Sequence, residues 1–262
     1  MAELLFWPVL LAYSGAAVAY FGETRAPGLP GRLATWGVRL GWLAQSALLV
    51  AQAARASGFP WSTWAGSLNL FVWFVITAYL IWGCRARYRL LGLAVMPLAA
   101  VLFVVARLGG GTELGTRSHY SNVFLVLHVG LVLAAFAGFT LAAGLAGVYL
   151  FQERRLKRHY VGILRVPAPA LQTLDGLAAR TIAASLPALT LGMVVGLVRL
   201  EEQGGRLDAL MAVTLATWLA YGSYLALRYA YGWRGRRTAY LALAAFALVI
   251  VVRLALPATH FA

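Results

Sequence analysis

The chain has 262 residues, of which 62% are hydrophobic and 11% are charged, and its mean hydropathy is +0.78. This composition excludes a soluble globular domain of this length and indicates an integral membrane protein. The 22 Lys and Arg residues outnumber the 8 Asp and Glu residues. They lie in short segments between apolar runs, so membrane orientation explains them better than nucleic-acid binding does. The single cysteine, Cys84, excludes an intrachain disulfide and a multi-cysteine metal site.

Eight apolar segments are long enough to cross a bilayer, for which a helix needs about 20 residues. Their continuous Ala- and Leu-rich runs favour helices over strands. The predicted fold is therefore all-α, a bundle of eight transmembrane helices that forms a single transmembrane domain over residues 1–262. In chain order, the predicted spans are 4–21, 34–53, 66–83, 90–106, 122–150, 181–199, 209–229 and 238–257. The first span has no basic region ahead of it, so we interpret it as a retained helix rather than a signal peptide.

The charges of the loops predict the orientation. Loops after the first, third, fifth and seventh predicted helices carry most of the basic residues, and the positive-inside rule places these loops in the cytoplasm. We therefore expect a multi-pass protein of the plasma (inner) membrane with both termini on the outer side. The basic residues of the inner set are Arg25, Arg32, Arg85, Arg87, Arg89, Arg154, Arg155, Lys157, Arg158, Arg165, Arg228, Arg234, Arg236 and Arg237. Those of the outer set are Arg55, Arg107, Arg117, Arg199 and Arg206.

Depth in the membrane singles out two of the four histidines. Counting outward from Gln152 at about 1.5 Å per residue puts His128 roughly 36 Å from the cytoplasmic end, just beyond a hydrocarbon core of about 30 Å. The same count from Arg237 puts His260 roughly 34 Å out. The two imidazoles are thus expected at one level on the outer side, where a pair of them can ligate an iron axially. Alternatively, each is a hydrogen-bonded or solvated side chain at the interface.

Arg253 lies seven residues before His260, on nearly the same helical face and within the hydrocarbon depth. A cation at that depth needs an anionic partner or a wet cavity. Asp208, Glu201 and Glu202 are candidate partners within the chain, and the propionates of a tetrapyrrole are an external one. Arg107 and Arg199, also assigned to the outer side, are further candidates to meet propionates. The alternative for Arg253 is snorkelling to the headgroups.

Small residues recur at helical spacing in two segments. Gly192 and Gly196 form a GxxxG pair, and a second stripe consists of Ala134, Gly138, Ala142 and Ala146. Such stripes let helix backbones approach closely in lipid, so we interpret them as helix contacts rather than ligand sites. The GGG sequence at 109–111 has no downstream lysine of a phosphate-binding motif and is interpreted as a flexible turn.

Several strings occur in an order and spacing typical of one family. They are FPWSTWAGSLNLFVW (59–73), LHVGLVLAAFAGF (127–139), GVYLFQERRLK (147–157), LDGLAARTIAASLPALTLGMVVG (174–196), TWLAYGSYLALR (217–228), GWRGRRTAYLALAAFALVI (232–250) and LPATH (256–260). From about residue 59 onward, the chain resembles the CcsA/CcmC-type cytochrome c assembly family, and within it the HemX-like branch.

The resemblance implies that the protein handles haem. Members of that family hold haem between two outward-facing histidines beside a Trp-rich loop that ends in an aspartate, for delivery to apocytochrome c. His128 and His260 match the two histidines, and Asp208 matches the aspartate. The chain departs from the family pattern at several positions. The loop at 200–213 has no tryptophan, Ala209, Leu210 and Met211 replace the Pro-Lys-Glu after the aspartate, Ala226 replaces an intramembrane histidine, and Gly66 replaces the usual glutamate. These departures favour a haem binder or regulator over a complete cytochrome c synthetase.

The main hypothesis is a haem-binding membrane protein with haem b as its cofactor. We expect no enzyme activity, because no nucleophile, base and orienting group share one depth. The expected partners are the lipid bilayer, haem, another cytochrome c assembly subunit or a cytoplasmic haem-biosynthesis enzyme, and no nucleic acid. The alternative, which the HemX-like resemblance implies, is a scaffold that regulates tetrapyrrole biosynthesis by acting on glutamyl-tRNA reductase through the loop at 151–180. A permease is less favoured, because no helix carries a paired central disruption.

Overall fold

A computed structural model describes residues 2–23, 28–56, 59–61, 63–82, 89–114, 123–157, 169–202 and 209–255. These residues form eight α-helices and no strand, which confirms the predicted all-α class. The helices are α1 (Ala2–Glu23), α2 (Leu29–Arg55), α3 (Trp64–Trp82), α4 (Arg89–Leu108), α5 (Val123–Lys157), α6 (Leu171–Glu202), α7 (Ala209–Ala230) and α8 (Arg236–Ala255).

Among the described residues, five helices are long and apolar enough to cross a membrane. These segments are Leu4–Glu23, Trp64–Ile81, Leu91–Leu108, Val126–Lys157 and Leu171–Val198. They coincide with five of the predicted spans and support a multi-pass membrane protein. The helices α2, α7 and α8 occupy the other three predicted spans but are not among these candidates. Eight crossings, and the side of each terminus, therefore stay predictions.

The helices pack into two compact units. Unit 1 consists of residues 1–122 and 161–169, and unit 2 of residues 123–160 and 170–262. In unit 1, α1 packs against α2 and α4, and α3 packs against the same two helices. In unit 2, α5 packs against α6 and α8, and α7 packs against the same two helices. The predicted single transmembrane domain depends on how the two units assemble and stays a prediction.

A buried network of amides ties the helices of unit 1 together. The Tyr13 hydroxyl donates to Gln45 Oε1 at 2.6 Å, and Gln45 Nε2 donates to Asn69 Oδ1 at 2.9 Å. Asn69 Nδ2 in turn donates to Gln52 Oε1 at 3.2 Å, and Gln52 Nε2 donates to the Gly111 carbonyl at 3.0 Å. All four side chains are buried, so the bonds offset a desolvation cost that each polar group would otherwise carry. The network connects α1, α2 and α3 to the turn after α4.

That turn is an ordered helix stop. The Gly111 amide donates to the Ala106 carbonyl at 2.8 Å, and the Gly110 amide donates to the Arg107 carbonyl at 3.1 Å. Gly110 has a φ of 80°, in the left-handed region that such a stop requires. The interpretation of GGG as a flexible turn was therefore incomplete, because hydrogen bonds to the last turn of α4 hold its backbone.

The small-residue stripe of α5 makes the predicted helix contact in unit 2. Ala142 and Ala146 are buried, and a Cβ at Gly138 would collide with the Ser185 hydroxyl of α6. The two helices therefore approach closely where these residues face each other. Further along the core, the rings of Phe139 and Tyr221 stack with centroids 3.9 Å apart, which joins α7 to α5.

Candidate functional site

His128 lies near the start of α5 and is half-buried. Its Nδ1 atom is 2.7 Å from the carbonyl oxygen of Gly192 on α6. A carbonyl oxygen can only accept a hydrogen bond, so Nδ1 is the nitrogen that carries the proton. In the neutral ring, the lone pair is then on Nε2, which is the form in which imidazole binds a metal. The structure therefore assigns one tautomer to this histidine.

The GxxxG pair of α6, Gly192 and Gly196, leaves room for the imidazole of His128. A Cβ at Gly196 would lie 2.6 Å from His128 Cε1 and 2.8 Å from Nδ1, but 3.5 Å from Nε2. A Cβ at Gly192 would lie 2.8 Å from Cγ2 of Val132. The pair thus makes the helix contact that the sequence predicts, and it has a second role that the sequence analysis missed. The Nδ1–Cε1 edge of the ring packs against glycine, with Nε2 further from α6.

The other predicted site residues of this unit are described less fully. Arg199 and Arg253 lie within α6 and α8, but their side chains are outside the described set. Asp208 and His260 lie outside the described residues altogether. The pairing of His128 with His260 therefore stays a prediction. In the described part of the chain, no cluster of three or more His, Cys, Asp or Glu side chains forms a metal site.

Arg107 belongs to unit 1, at the end of α4. Its guanidinium lies 5.7 Å from the centroid of the Phe6 ring. Both residues line an open cavity of about 530 Å³, together with Trp7, Leu10 and Glu113. Stacking on an aromatic face is favourable for a guanidinium, particularly where water is partly excluded. The predicted contact of Arg107 with a propionate is not tested by this arrangement.

A part-buried ion pair at the other end of unit 2 was missed by the sequence analysis. Asp175 of α6 accepts two hydrogen bonds from Arg228 of α7, from Nη1 at 3.0 Å and from Nη2 at 2.8 Å. The same carboxylate accepts the Gly235 amide at 3.1 Å and the Thr238 hydroxyl at 2.9 Å. The side chains of the pair are only 10–11% exposed. One carboxylate therefore joins α6, α7 and the start of α8.

A signal for this pair was present in the sequence. Asp175 is an isolated acid beside an apolar segment, and Arg228 is a basic residue at the end of the next predicted helix. The loop charges assign both residues to the cytoplasmic side. Ionisable residues at the same level in a membrane bundle are expected to pair. Membrane depth, which predicts the pairing of the histidines, therefore also indicates a pair between Asp175 and Arg228.

Apolar helices of this length and number define a multi-pass helical membrane protein. A family model described as Cytochrome C assembly protein matches residues 61–257, so the chain belongs to that family. The chain is 27% identical to the cytochrome c biogenesis protein CcsA of Microcystis aeruginosa, over 95% of this chain and 89% of the relative. It is 28% identical to the protein of that name from Picosynechococcus sp., over 95% of this chain and 90% of the relative. No solved structure matches the chain at a significant level.

The match confirms the predicted resemblance at the level of the family. A relative from Guillardia theta with the same name is 26% identical over 73% of this chain and 71% of its own length. Placement in the HemX-like branch stays a prediction.

Proposed function

We propose that this protein takes part in cytochrome c biogenesis by holding haem at the outer end of unit 2. Its relatives are named cytochrome c biogenesis proteins, which supports the process. In the proposal, Nε2 of His128 and the imidazole of His260 would together hold the haem iron. Two imidazoles leave no open coordination position, so the site carries haem rather than activating oxygen.

The observation that carries the proposal is the hydrogen bond between His128 Nδ1 and the Gly192 carbonyl, 2.7 Å long. Histidines that ligate a metal usually donate their second ring nitrogen to a carbonyl or carboxylate. That bond fixes the tautomer and the ring plane. His128 has this arrangement within the protein alone, so the residue fits the group that it is proposed to bind.

Two cations of unit 2 are candidates for the propionates of the haem, namely Arg253 and Arg199. A guanidinium binds a carboxylate through two parallel hydrogen bonds, which would help to hold the haem in one orientation. Asp208, which matches the family's loop aspartate, is proposed to lie beside the same site. We expect haem b, which is bound without a covalent link to the protein. Two histidines can ligate its iron without a thioether bond between the haem and the single cysteine.

The experiment is a titration of the purified full chain with haemin, followed by visible spectroscopy. We expect a low-spin spectrum in the wild type, and a loss of affinity of more than about tenfold in His128→Ala and in His260→Ala. His159→Ala is the matched control, because it removes a histidine predicted on the cytoplasmic side and should leave binding unchanged. A wild-type protein that takes up no haemin, or a His128→Ala variant that binds like the wild type, contradicts the proposal.

The second candidate function is the scaffold that regulates glutamyl-tRNA reductase through residues 151–180. Residues 151–157 continue α5 and residues 171–180 begin α6, so much of that segment is helix rather than loop. This candidate predicts that substitutions in residues 153–158 abolish capture of the enzyme in a pull-down, without changing the haemin titration. Capture that is unaffected by such substitutions contradicts it.

A further inference from the structure

One end of unit 2 presents a dense group of exposed basic side chains. They come from the end of α5 and from the α7–α8 turn with the start of α8, and comprise Arg154, Arg155, Lys157, Arg234, Arg236 and Arg237. The described acids near them are few. Glu153 binds Lys157 Nζ at 2.7 Å, and Asp175 is neutralised by Arg228. This surface, which we call the basic end, therefore carries a strong excess of positive charge.

Two of these arginines meet at one hydroxyl. Arg236 Nη2 donates to the Tyr240 hydroxyl at 3.3 Å, and its guanidinium lies 5.4 Å from the centroid of the same ring. Arg154, which belongs to α5, lies within electrostatic reach of that hydroxyl. Since α5 and α8 pack against each other, the cations of both helices are held at one place. Like charges gathered this closely favour an anion between them.

Aromatic rings at the basic end indicate what kind of anion binds there. Arg155 lies 4.5 Å from the ring centroid of Phe151, and Arg237 lies 5.7 Å from that of Trp233. Phe151 and Tyr240 are 53% and 40% exposed. Exposed rings beside cations at the ends of apolar helices are typical of the headgroup level of a bilayer. A lipid headgroup fits this mixture of rings and charges better than a water-soluble acidic protein.

We propose that Arg154, Arg236 and the Tyr240 hydroxyl bind the phosphate of an anionic phospholipid in the leaflet that faces the basic end. Guanidinium groups match phosphate oxygens through paired, charge-assisted hydrogen bonds. The phenol donates a further hydrogen bond, and the apolar flanks of α5 and α8 accommodate the acyl chains. Basic pockets between transmembrane helices are a known form of lipid site. This proposal does not depend on haem binding.

The test uses the delipidated full chain in neutral detergent and counts bound lipid by native mass spectrometry. The probes are phosphatidylglycerol and phosphatidylcholine with identical acyl chains. We expect the wild type to retain phosphatidylglycerol preferentially. Arg154→Gln and Arg236→Gln should each weaken that retention by about 10- to 100-fold, because each removes charge-assisted hydrogen bonds to one phosphate. Tyr240→Phe, which removes only the hydroxyl, should weaken it less.

Arg39→Gln is the matched control. Arg39 also lies over an aromatic ring, 5.2 Å from the centroid of Trp36, but it belongs to α2 in unit 1. The variant removes the same charge and the same type of ring contact, so retention should stay at the wild-type level. Two arginines that share one phosphate should also show non-additive losses in the double variant.

Several outcomes would overturn the proposal. If only the diffuse positive potential of the protein attracted the lipid, each arginine removed would weaken phosphatidylglycerol retention by about fivefold. These losses would be equal and additive, and Arg39 and Arg234 would show them too. Equal retention of both lipids by the wild type would exclude an anionic headgroup as the specific occupant. Displacement of phosphatidylglycerol by excess inorganic phosphate would assign the site to free phosphate instead. Circular dichroism of each variant checks that the helices are intact.

Discussion

At position 196, the absence of a side chain leaves room for the ring of His128. We expect Gly196→Ala to push the imidazole off its hydrogen bond with Gly192, because the new Cβ would lie 2.6 Å from Cε1. Overpacking of this kind costs about 1–3 kcal/mol. Both thermal stability in detergent and affinity for haemin should therefore fall, as measured by circular dichroism and by spectral titration.

Gly147→Ala is the control for that substitution. Position 147 is also a helical glycine, but no atom lies within 4 Å of a Cβ built there. Alanine is favoured over glycine in a helix by about 1 kcal/mol, so this variant should be neutral or slightly more stable. If Gly196→Ala behaves like Gly147→Ala in both measurements, the glycine is not what seats the imidazole.

These residues show what the sequence predicts at this scale and what it does not. The level of His128 follows from counting residues along a helix, because the rise per residue is fixed. Its partner on α6 does not follow, since the rotation of one helix against another depends on packing between side chains. The GxxxG pattern indicated a close approach, and only the structure shows that Gly192 and Gly196 meet His128 and Val132 of α5.

At the scale of elements, Asp175 connects three helices of unit 2. We expect Asp175→Asn to lower the free energy of unfolding by about 2 kcal/mol, because it leaves the part-buried Arg228 without its counter-charge. Arg228→Lys should cost less, since it keeps the charge and loses only the paired geometry. Unfolding of the purified protein by a denaturing detergent would measure both losses.

Glu153→Gln provides the comparison for Asp175→Asn. It also removes one carboxylate from unit 2, but Lys157, the partner of Glu153 at 2.7 Å, is 63% exposed. A pair of this kind in a helix contributes about 0.5 kcal/mol or less. Equal effects of the two substitutions would mean that the Asp175 cluster does not hold α6, α7 and α8 together.

The same cluster explains a difference between the predicted and observed bounds of α6. The predicted span began at residue 181, where the apolar run starts, whereas the helix begins at Leu171. The predicted span left out Leu171–Arg180 because this stretch contains Gln172, Asp175 and Arg180, although Leu171–Val198 as a whole is apolar enough to cross a membrane. Here the charge of Asp175 is met by Arg228, and the helix continues around the pair. Pairing between distant segments is the information that a hydropathy profile lacks.

At the scale of the molecule, α1–α4 and α5–α8 each make a compact unit with a different polar feature inside. Unit 1 contains the amide network from Tyr13 to Gly111, and unit 2 contains the Asp175 cluster. The number and order of the helices were predictable from long apolar runs between basic loops. The division into two units was not predictable, because it depends on which helices pack together and no internal repeat marks it.

Orientation in the membrane decides on which side the proposed sites act. Basic residues concentrate in the loops after the odd-numbered helices, and the positive-inside rule therefore places Lys157 in the cytoplasm and Gln203 outside. In a Cys84→Ala background, we expect an impermeant maleimide to label Gln203→Cys in intact cells. Lys157→Cys should be labelled only after the membrane is permeabilised, with mass spectrometry of the purified protein as the measurement.

The opposite labelling pattern would have a definite consequence for both proposals. His128 lies near the start of α5 and Lys157 at its end, so the 35-residue helix is long enough to put them on opposite sides of a bilayer. Labelling of Lys157→Cys from outside would place His128 at the cytoplasmic face and the basic end in the outer leaflet. The proposed binding of haem on the outer side would then fail, while the tautomer of His128 and the proximity of Arg154 to Arg236 would be unchanged. Topology thus tests the direction of the function separately from the chemistry of the sites.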